Sequence, residues 1–447
     1  MIRTSSPSGN EVEIPGADLY LEGFEGSEPA HILSEPIPDH VPDYQLAESF
    51  QTQSIAAMTQ TDREHAYNDI HAIPEAKKED PVLISRSLEL LEEEILKRDD
   101  NEAYLKAQSL NPAYVGNREF RLMFLRTDRF DVPNAALRMV RHFQIKLDLF
   151  GKNRLGRDIT QDDMTKEDME ALRDPIVRLL PTRDRAGRAI IHFVSNSANH
   201  LFSLEARMRR LFYLFMLSLR DSDTQKRGIV VICCYINNTE IEGLKSGGFD
   251  GAWKSPRLAL GIPIHIAAVH MGYNSMRWAP VHAILRMTLG IFTRIRFRAH
   301  YGSNEEWINN MKSVGIQPEQ LPFRTNAENF ANLKFLEVHR AKERMKYPKR
   351  SRVGVPGPND VLFGKGSRFQ NHVGNVKFRR FIADCRKTYE KTKRGEKQHL
   401  IREIVDTVTQ SSGLFLKEDD EGWIVVDDAA AAYKVGAVFR TLRTLDG

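Results

Sequence analysis

The sequence predicts an α/β protein with a helical N-terminal lobe, a mainly parallel sheet and one further compact domain at its C-terminus. Three observations carry that prediction. From Pro81 to about residue 150, leucine and isoleucine recur at three- and four-residue steps between acids and lysines, the period of amphipathic helices. Three β-branched runs of strand length follow, at 189–195, 228–236 and 263–272, and strand alternating with helix builds a parallel sheet. Beyond the turn-rich linker VGVPGPND, residues 359–447 leave enough chain for one more core. At roughly 150 residues per domain, 447 residues accommodate about three domains.

In chain order, residues 1–80 hold seven prolines and no sustained period, and are expected to form a mostly disordered acidic tail. The lobe at 81–175 opens with the helix LISRSLELLEEEILKRDDNEAYLKA. Two more helices cross 117–150, divided at Asp131 and Pro133, where Asp can cap and Pro suits a first helical turn. In 176–330, AIIHFVS and GIVVICCYI flank the helical SLEARMRRLFYLFMLSLRD, and PIHIAAVHMG leads to the long amphipathic HAILRMTLGIFTRIRF at 282–297. Residues 331–358 read as a basic helix and linker, and there is no internal repeat.

Hydrophobic residues at 41% and charged residues at 28% exclude wholesale disorder and a membrane-spanning bundle. No stretch approaches 18 uninterrupted apolar residues, and the first residues lack the apolar core of a signal peptide. A soluble, unsecreted protein without a transmembrane segment is expected. Three cysteines, two of them the neighbours Cys233 and Cys234, assemble neither a disulfide framework nor a Cys-x-x-Cys zinc site, which suits a reducing compartment. The net charge of +4 conceals an asymmetry. Residues 1–80 carry 16 acids against 4 Lys/Arg, and residues 340–397 carry 18 Lys/Arg against 5 acids. The basic block is either a solvated face or a surface for anions.

Catalytic patterns are missing. There is no G-x-S-x-G elbow, no H-E-x-x-H and no G-x-G-x-x-G opening a helix after a strand. FGKGSRF fails as a phosphate loop, because Gly366 follows Lys365 and Asn359 stands where the first glycine belongs. His265 and His270, five residues apart in a strand, face opposite sides and cannot share a metal. Cys233 and Cys234 read as small core residues. No catalytic residue, metal or cofactor is assigned, and the protein is expected not to be an enzyme.

The segment 276–303 is the informative one. Ile284, Met287, Ile291 and Ile295, with Leu285, Leu289 and Phe292 beside them, form a broad apolar stripe, while Arg286, Arg294, Arg296 and Arg298 supply charge. Such a helix suits a core wall or a surface that meets lipid.

The order of phrases along the chain bears on that choice. FRLMFLRTDRFDVPNAALRMVRHFQ, LLPTRDRAGRAIIHF, GIVVICCYI, the run from GIPIHIAAVHMG to FRAHYGS, and WINNMKSVGIQPEQLPF follow one another as the marked phrases of the CRAL-TRIO lipid-binding family do. The chain resembles that family over about residues 83–325. The resemblance implies a mixed, mainly parallel sheet flooring an apolar pocket that holds one lipid, with a mobile gate helix over it, and transfer or presentation of that lipid at membranes. It implies a pocket and gate formed by Ile284, Leu285, Met287, Leu289, Ile291, Phe292, Ile295, Val230 and Ile232, with Arg294 at the headgroup. Ile262 and Ile264 stand where phosphatidylinositol-transfer members carry a tyrosine and an acid, and Gly228 and Val230 stand where choline-reading members carry hydroxyls. A hydrophobic or anionic lipid is therefore expected.

The C-terminal stretch opens DVLFGKG, continues NHVGNVKFR through a basic helix pair, and ends in a GLFLK…W strand pair and a helix. It resembles an α+β domain of unknown function frequent in diatom proteins. Lys377, Arg379, Arg380, Lys391, Lys393 and Arg394, interleaved with Phe378, Phe381 and Tyr389, suit polyanions, whether anionic membrane or nucleic acid. Two functions follow as expectations: lipid binding and transfer by a cytoplasmic protein peripheral to membranes, or nucleic-acid-associated regulation through the basic domain, with the nucleus as its location.

Overall fold

The computed structural model describes residues 44–74, 79–194, 202–235, 258, 260–275, 278, 291–321, 326–347, 352–393, 396–419 and 422–444. Within the segment expected to be disordered, residues 44–70 form two helices, α1 (Tyr44–Ala56) and α2 (Gln60–Ile70). Neither shows a clear apolar period, so the sequence conceals them; charge anchors α2 instead. The Thr59 hydroxyl accepts the Asp62 N–H at its start (3.1 Å). Asp69 at its end accepts from Arg296 Nε (2.8 Å) and lies 3.5 Å from His265 Nε2. Burial pushes the Asp69 carboxyl up, but His265 and Arg296 outweigh it and hold the pKa well below its ordinary 3.8. A depressed folded-state pKa gives stability that is complete above 3.8 and is lost as pH falls through the folded value. Asp69→Asn is expected to lose about 1.5–3 kcal/mol at pH 7, as for a hydrogen bond to a charged group. In denaturant titrations at several pH values, its deficit relative to the parent should narrow on acidification.

The helical lobe comprises α3 (Pro81–Leu96), α4 (Glu102–Leu110), α5 (Pro112–Val115), α6 (Arg118–Thr127), α7 (Val132–Phe150) and α8 (Lys166–Arg173). Where one helix was expected over 83–107 there are two, because Asn101 turns back to donate to the Ile95 carbonyl (2.9 Å). Asp131 caps α7 by accepting the Asn134 N–H (3.1 Å), with Pro133 in the first turn, as its sequence predicts.

The main sheet is mixed and mostly parallel. Strands β1 (Val177–Arg183), β2 (Ala189–Val194), β3 (Ile229–Cys234), β4 (Ile266–Tyr273) and β5 (Phe297–Tyr301) lie side by side in chain order. β1 runs antiparallel to β2, and the others are parallel. Helices α9 (Leu204–Ser218) and α10 (Ser222–Arg227) cross from β2 to β3. Gly228 makes the following turn at φ +79°, where a Cβ would sit 2.5 Å from the His265 carbonyl oxygen. The helix expected to run to 297 ends as α11 (Ile291–Arg294), and Phe297 already belongs to β5.

Alternation along the strands divides the core. Ile191, Ile229, Val231, Val269 and Met271 join the helical lobe in one cluster. Ile190, Val230, Ile232 and Ala268 pack on the other side with Trp307 and Met311 of α12 (Asn304–Ser313). Cys233 is buried, and burial pushes its thiol up to about 12.

After α13 (Asn326–Lys346), the C-terminal part builds its own sheet. β6 (Arg352–Val353), β7 (Val361–Phe363), β8 (Phe415–Asp419) and β9 (Gly422–Val425) pair in the order β6-β9-β8-β7. Among them run α14 (Ser367–Gln370), α15 (Val373–Lys391), α16 (Lys397–Gln410) and finally α17 (Asp428–Thr444). Phe378, Ile382, Val405, Phe415 and Phe439 share its core.

Candidate functional site

Between the helical lobe, the β1–β2 end of the sheet, α9 and α13 lies a cleft of about 830 Å³. Its apolar surface comes from Phe120 and Met123 of α6, Leu179 of β1, Ala189 of β2, and Phe212 and Met216 of α9. Helix α9 supplies two of these because its apolar residues surround it and nearly every one is buried.

Most of the charged groups that line the cleft are paired. Glu343 of α13 is 2% exposed and accepts from Tyr213 Oη (2.9 Å), Arg220 Nη2 (2.7 Å) and the Gln161 backbone N–H (2.8 Å). Burial raises the Glu343 pKa against the opposing pull of Arg220. Lys146 of α7 is 1% exposed; its ammonium donates to Tyr114 Oη (3.1 Å) and to the carbonyls of Leu155 (3.1 Å) and Arg157 (2.6 Å). Burial, reinforced by the Arg157 charge, brings it down to about 7. Asp158 accepts from Tyr347 Oη and from Lys346 Nζ (3.1 Å).

Helix α13 shows one face to this cleft and another to a buried ion cluster. Arg340 and Arg344 donate through Nε to Asp162 at 2.7 and 2.9 Å. Arg344 also grips both carboxylate oxygens of Asp360 (2.5 and 3.0 Å) and the Ser412 carbonyl (2.9 Å). Burial works against its charge, but Asp360 and Asp162 outweigh it and hold its pKa above the ordinary value. The DVLFGKG opening is thus a docking and folding element. Asp360 receives the Gly357 and Leu414 N–H groups (2.6 and 2.9 Å), and a Cβ on Gly374 would fall 2.0 Å from the Asp360 carbonyl oxygen. Asn375, of the NHVGN phrase, bonds both backbone groups of Leu362 and so closes the free edge of β7 (2.7 and 3.0 Å).

The residues expected from the sequence to form the pocket are not gathered here. Val230 and Ile232 fill the opposite core with Trp307 and Met311. Arg294 donates to Ser54 Oγ (3.2 Å), and Ile295 packs with Met58 and Ala66, so both meet the N-terminal helices. Ile291 and Phe292 open α11, while Ile284, Leu285, Met287 and Leu289 lie outside the described residues. On α15, Lys377 donates to Asn359 Oδ1 (2.8 Å) and Arg379 to the Gln370 carbonyl (2.7 Å). Arg380, Lys391 and Lys393 are exposed, and Arg394 lies outside the described residues. His265 meets Asp69, and His270 Nδ1 lies 3.2 Å from His300 Nε2. Among the described residues no group of three His, Cys, Asp or Glu could hold a metal ion, and no helix is long and apolar enough to cross a membrane.

The architecture is that of a mixed α/β protein with a helical lobe and a small C-terminal α+β unit. Residues 360–441 match a family described as a domain of unknown function (DUF6824). No curated protein matches the sequence. Among solved structures, the chain is similar to one titled "Crystal structure of Sfh5", with 9% identity and a TM-score of 0.37 over 60% of this chain and 100% of that one.

Proposed function

We propose that this protein binds a single hydrophobic ligand, a phospholipid or other lipid, and transfers or presents it at membranes. The observation that carries this reading is the cleft of about 830 Å³, walled by Phe120, Met123, Leu179, Phe212 and Met216, within the size range of ligand pockets. Burying a lipid chain against such walls is favourable by about 25 cal/mol per Å² of apolar surface, and no bond need be made or broken. The five CRAL-TRIO-like phrases support the same reading. The protein acts in the cytoplasm, peripheral to anionic membranes. Incubated with unlabelled acceptors and donor vesicles carrying a fluorescent phospholipid or, in parallel, a fluorescent sterol, it is expected to accelerate exchange of at least one label in proportion to its concentration; exchange of both at the rate of protein-free vesicles would count against the reading.

A second reading, regulation in association with nucleic acid, draws on one observation. Arg380, Lys387 and Lys391 are exposed on α15 at a spacing that puts them on one face. Such a stripe attracts membranes at about 1 kcal/mol per basic residue, and nucleic acid by counterion release. Replacing all three with glutamate is expected to weaken salt-sensitive binding to phosphatidylserine vesicles and to duplex DNA together. Loss of DNA binding alone, with the parent holding one DNA sequence selectively at physiological salt, would favour the regulator.

A further inference from the structure

One buried polar side chain in the cleft keeps an unmet hydrogen-bonding group. His142 of α7 is 1% exposed and lines the cleft; the Gly261 backbone engages its ring, and at least one ring nitrogen is left without a hydrogen bond. Its ring is enclosed by aromatics, with centroids of Phe124, Phe143, Phe212 and Phe120 at 5.3, 5.4, 5.4 and 5.9 Å. A neutral imidazole has one donor and one acceptor, and leaving one of them unmet in an apolar site costs about 1–3 kcal/mol. A purely hydrophobic wall would be served better by phenylalanine at this position.

The cations of the cleft point the same way. Lys146 is saturated by three oxygens, Arg220 is held by Glu343, Lys346 by Asp158, and Arg183 by Asp221 (2.8 Å), while Lys342 is exposed at the rim. A phosphate or carboxylate that passed Lys342 at the rim into the buried part of the cleft would meet only paired cations among these.

We propose that His142 is the polar contact of the ligand inside the cleft, and that the ligand is an uncharged lipid carrying a hydroxyl or carbonyl group. The inference rests on the lipid-binding reading and narrows it. Burial and the Lys146 charge bring the His142 pKa down to about 3, partly offset by the Gly261 backbone and Asp158, so the ring is neutral at physiological pH and offers a donor and an acceptor in place of a charge.

Three fluorescent probes separate the outcomes on the full chain: diphenylhexatriene, a hydrocarbon; retinol, with one hydroxyl; and NBD-phosphatidylglycerol, an anionic phospholipid. The parent is expected to bind retinol more tightly than the phospholipid. His142→Phe should weaken retinol about five- to tenfold, the worth of one net hydrogen bond, and leave diphenylhexatriene unchanged or tighter. His142→Gln, which keeps a donor and an acceptor, should recover most of the retinol affinity. Equal effects of His142→Phe on retinol and diphenylhexatriene would overturn the role of His142. Tighter binding of phosphatidylglycerol than of retinol by the parent would overturn the ligand class, whether or not the variants fold. Binding of none of the three would remove the lipid-binding reading itself.

Discussion

Arg344→Ala is expected to destabilise the protein by about 3–5 kcal/mol, because it strips the shared cation from two buried carboxylates. Asp162 belongs to the segment before α8, Asp360 opens the C-terminal unit, and the Arg344 side chain between them is 6% exposed. With the arginine gone, Asp162 retains Arg340 (2.7 Å), whereas among the described residues Asp360 keeps backbone N–H donors alone. The damage should therefore fall on the docking of residues 352–444. Scanning calorimetry and limited proteolysis should find an early transition and early cleavage in that region. Arg344→Lys should rescue little, since one ammonium cannot hold two carboxylates in the geometry of a planar guanidinium. A thermal transition unchanged from the parent would mean that the cluster is dispensable.

Met216→Asp is expected to abolish ligand uptake with a smaller effect on stability. Met216 is half-buried and its side chain forms part of the apolar wall of the cleft, so aspartate can stay hydrated while the cleft is empty. Once a lipid covers the site, the carboxylate must be buried without a partner, at a cost of several kcal/mol. At tenfold per 1.4 kcal/mol, affinity should fall by about a hundredfold or more. Met216→Leu preserves the wall and should bind as the parent does. Fluorescent-lipid titrations of the two variants, paired with their melting temperatures, test this; equal uptake by folded Met216→Asp would show that the ligand sits elsewhere.

The fold was largely legible because its strands and amphipathic helices repeat with the periods of the elements they form. AIIHFVS, GIVVICCYI and PIHIAAVHMG became β2, β3 and β4 within a few residues. α2 was hidden because ion pairs at Asp69 hold it, and such pairs leave no mark on hydrophobic period. β5 was hidden because Phe297 continues an apolar run that reads equally well as helix. The cleft was less legible. Val230 and Ile232 are apolar and in a strand, as expected, yet alternation assigns them to the face covered by Trp307; a run apolar at every position does not say which face holds a cavity. His142 and Lys146 left a faint signal: two basic side chains, four residues apart, interrupt the apolar face of α7 that also bears Met139, Phe143 and Phe150. Glu343 left none, since its partners Tyr213 and Arg220 are more than a hundred residues away in the chain.

One lipid should occupy one protein chain, a stoichiometry that mass spectrometry reads without a label. Full-length protein would be purified without detergent, weighed under native conditions and again after organic extraction, with the extract analysed in parallel. The expected result is a native mass above that of the polypeptide by a single lipid, the same lipid in the extract, and no such increment for Met216→Asp. A native mass equal to the polypeptide, with an extract no richer in lipid than the buffer and no increment after incubation with mixed vesicles, would contradict it.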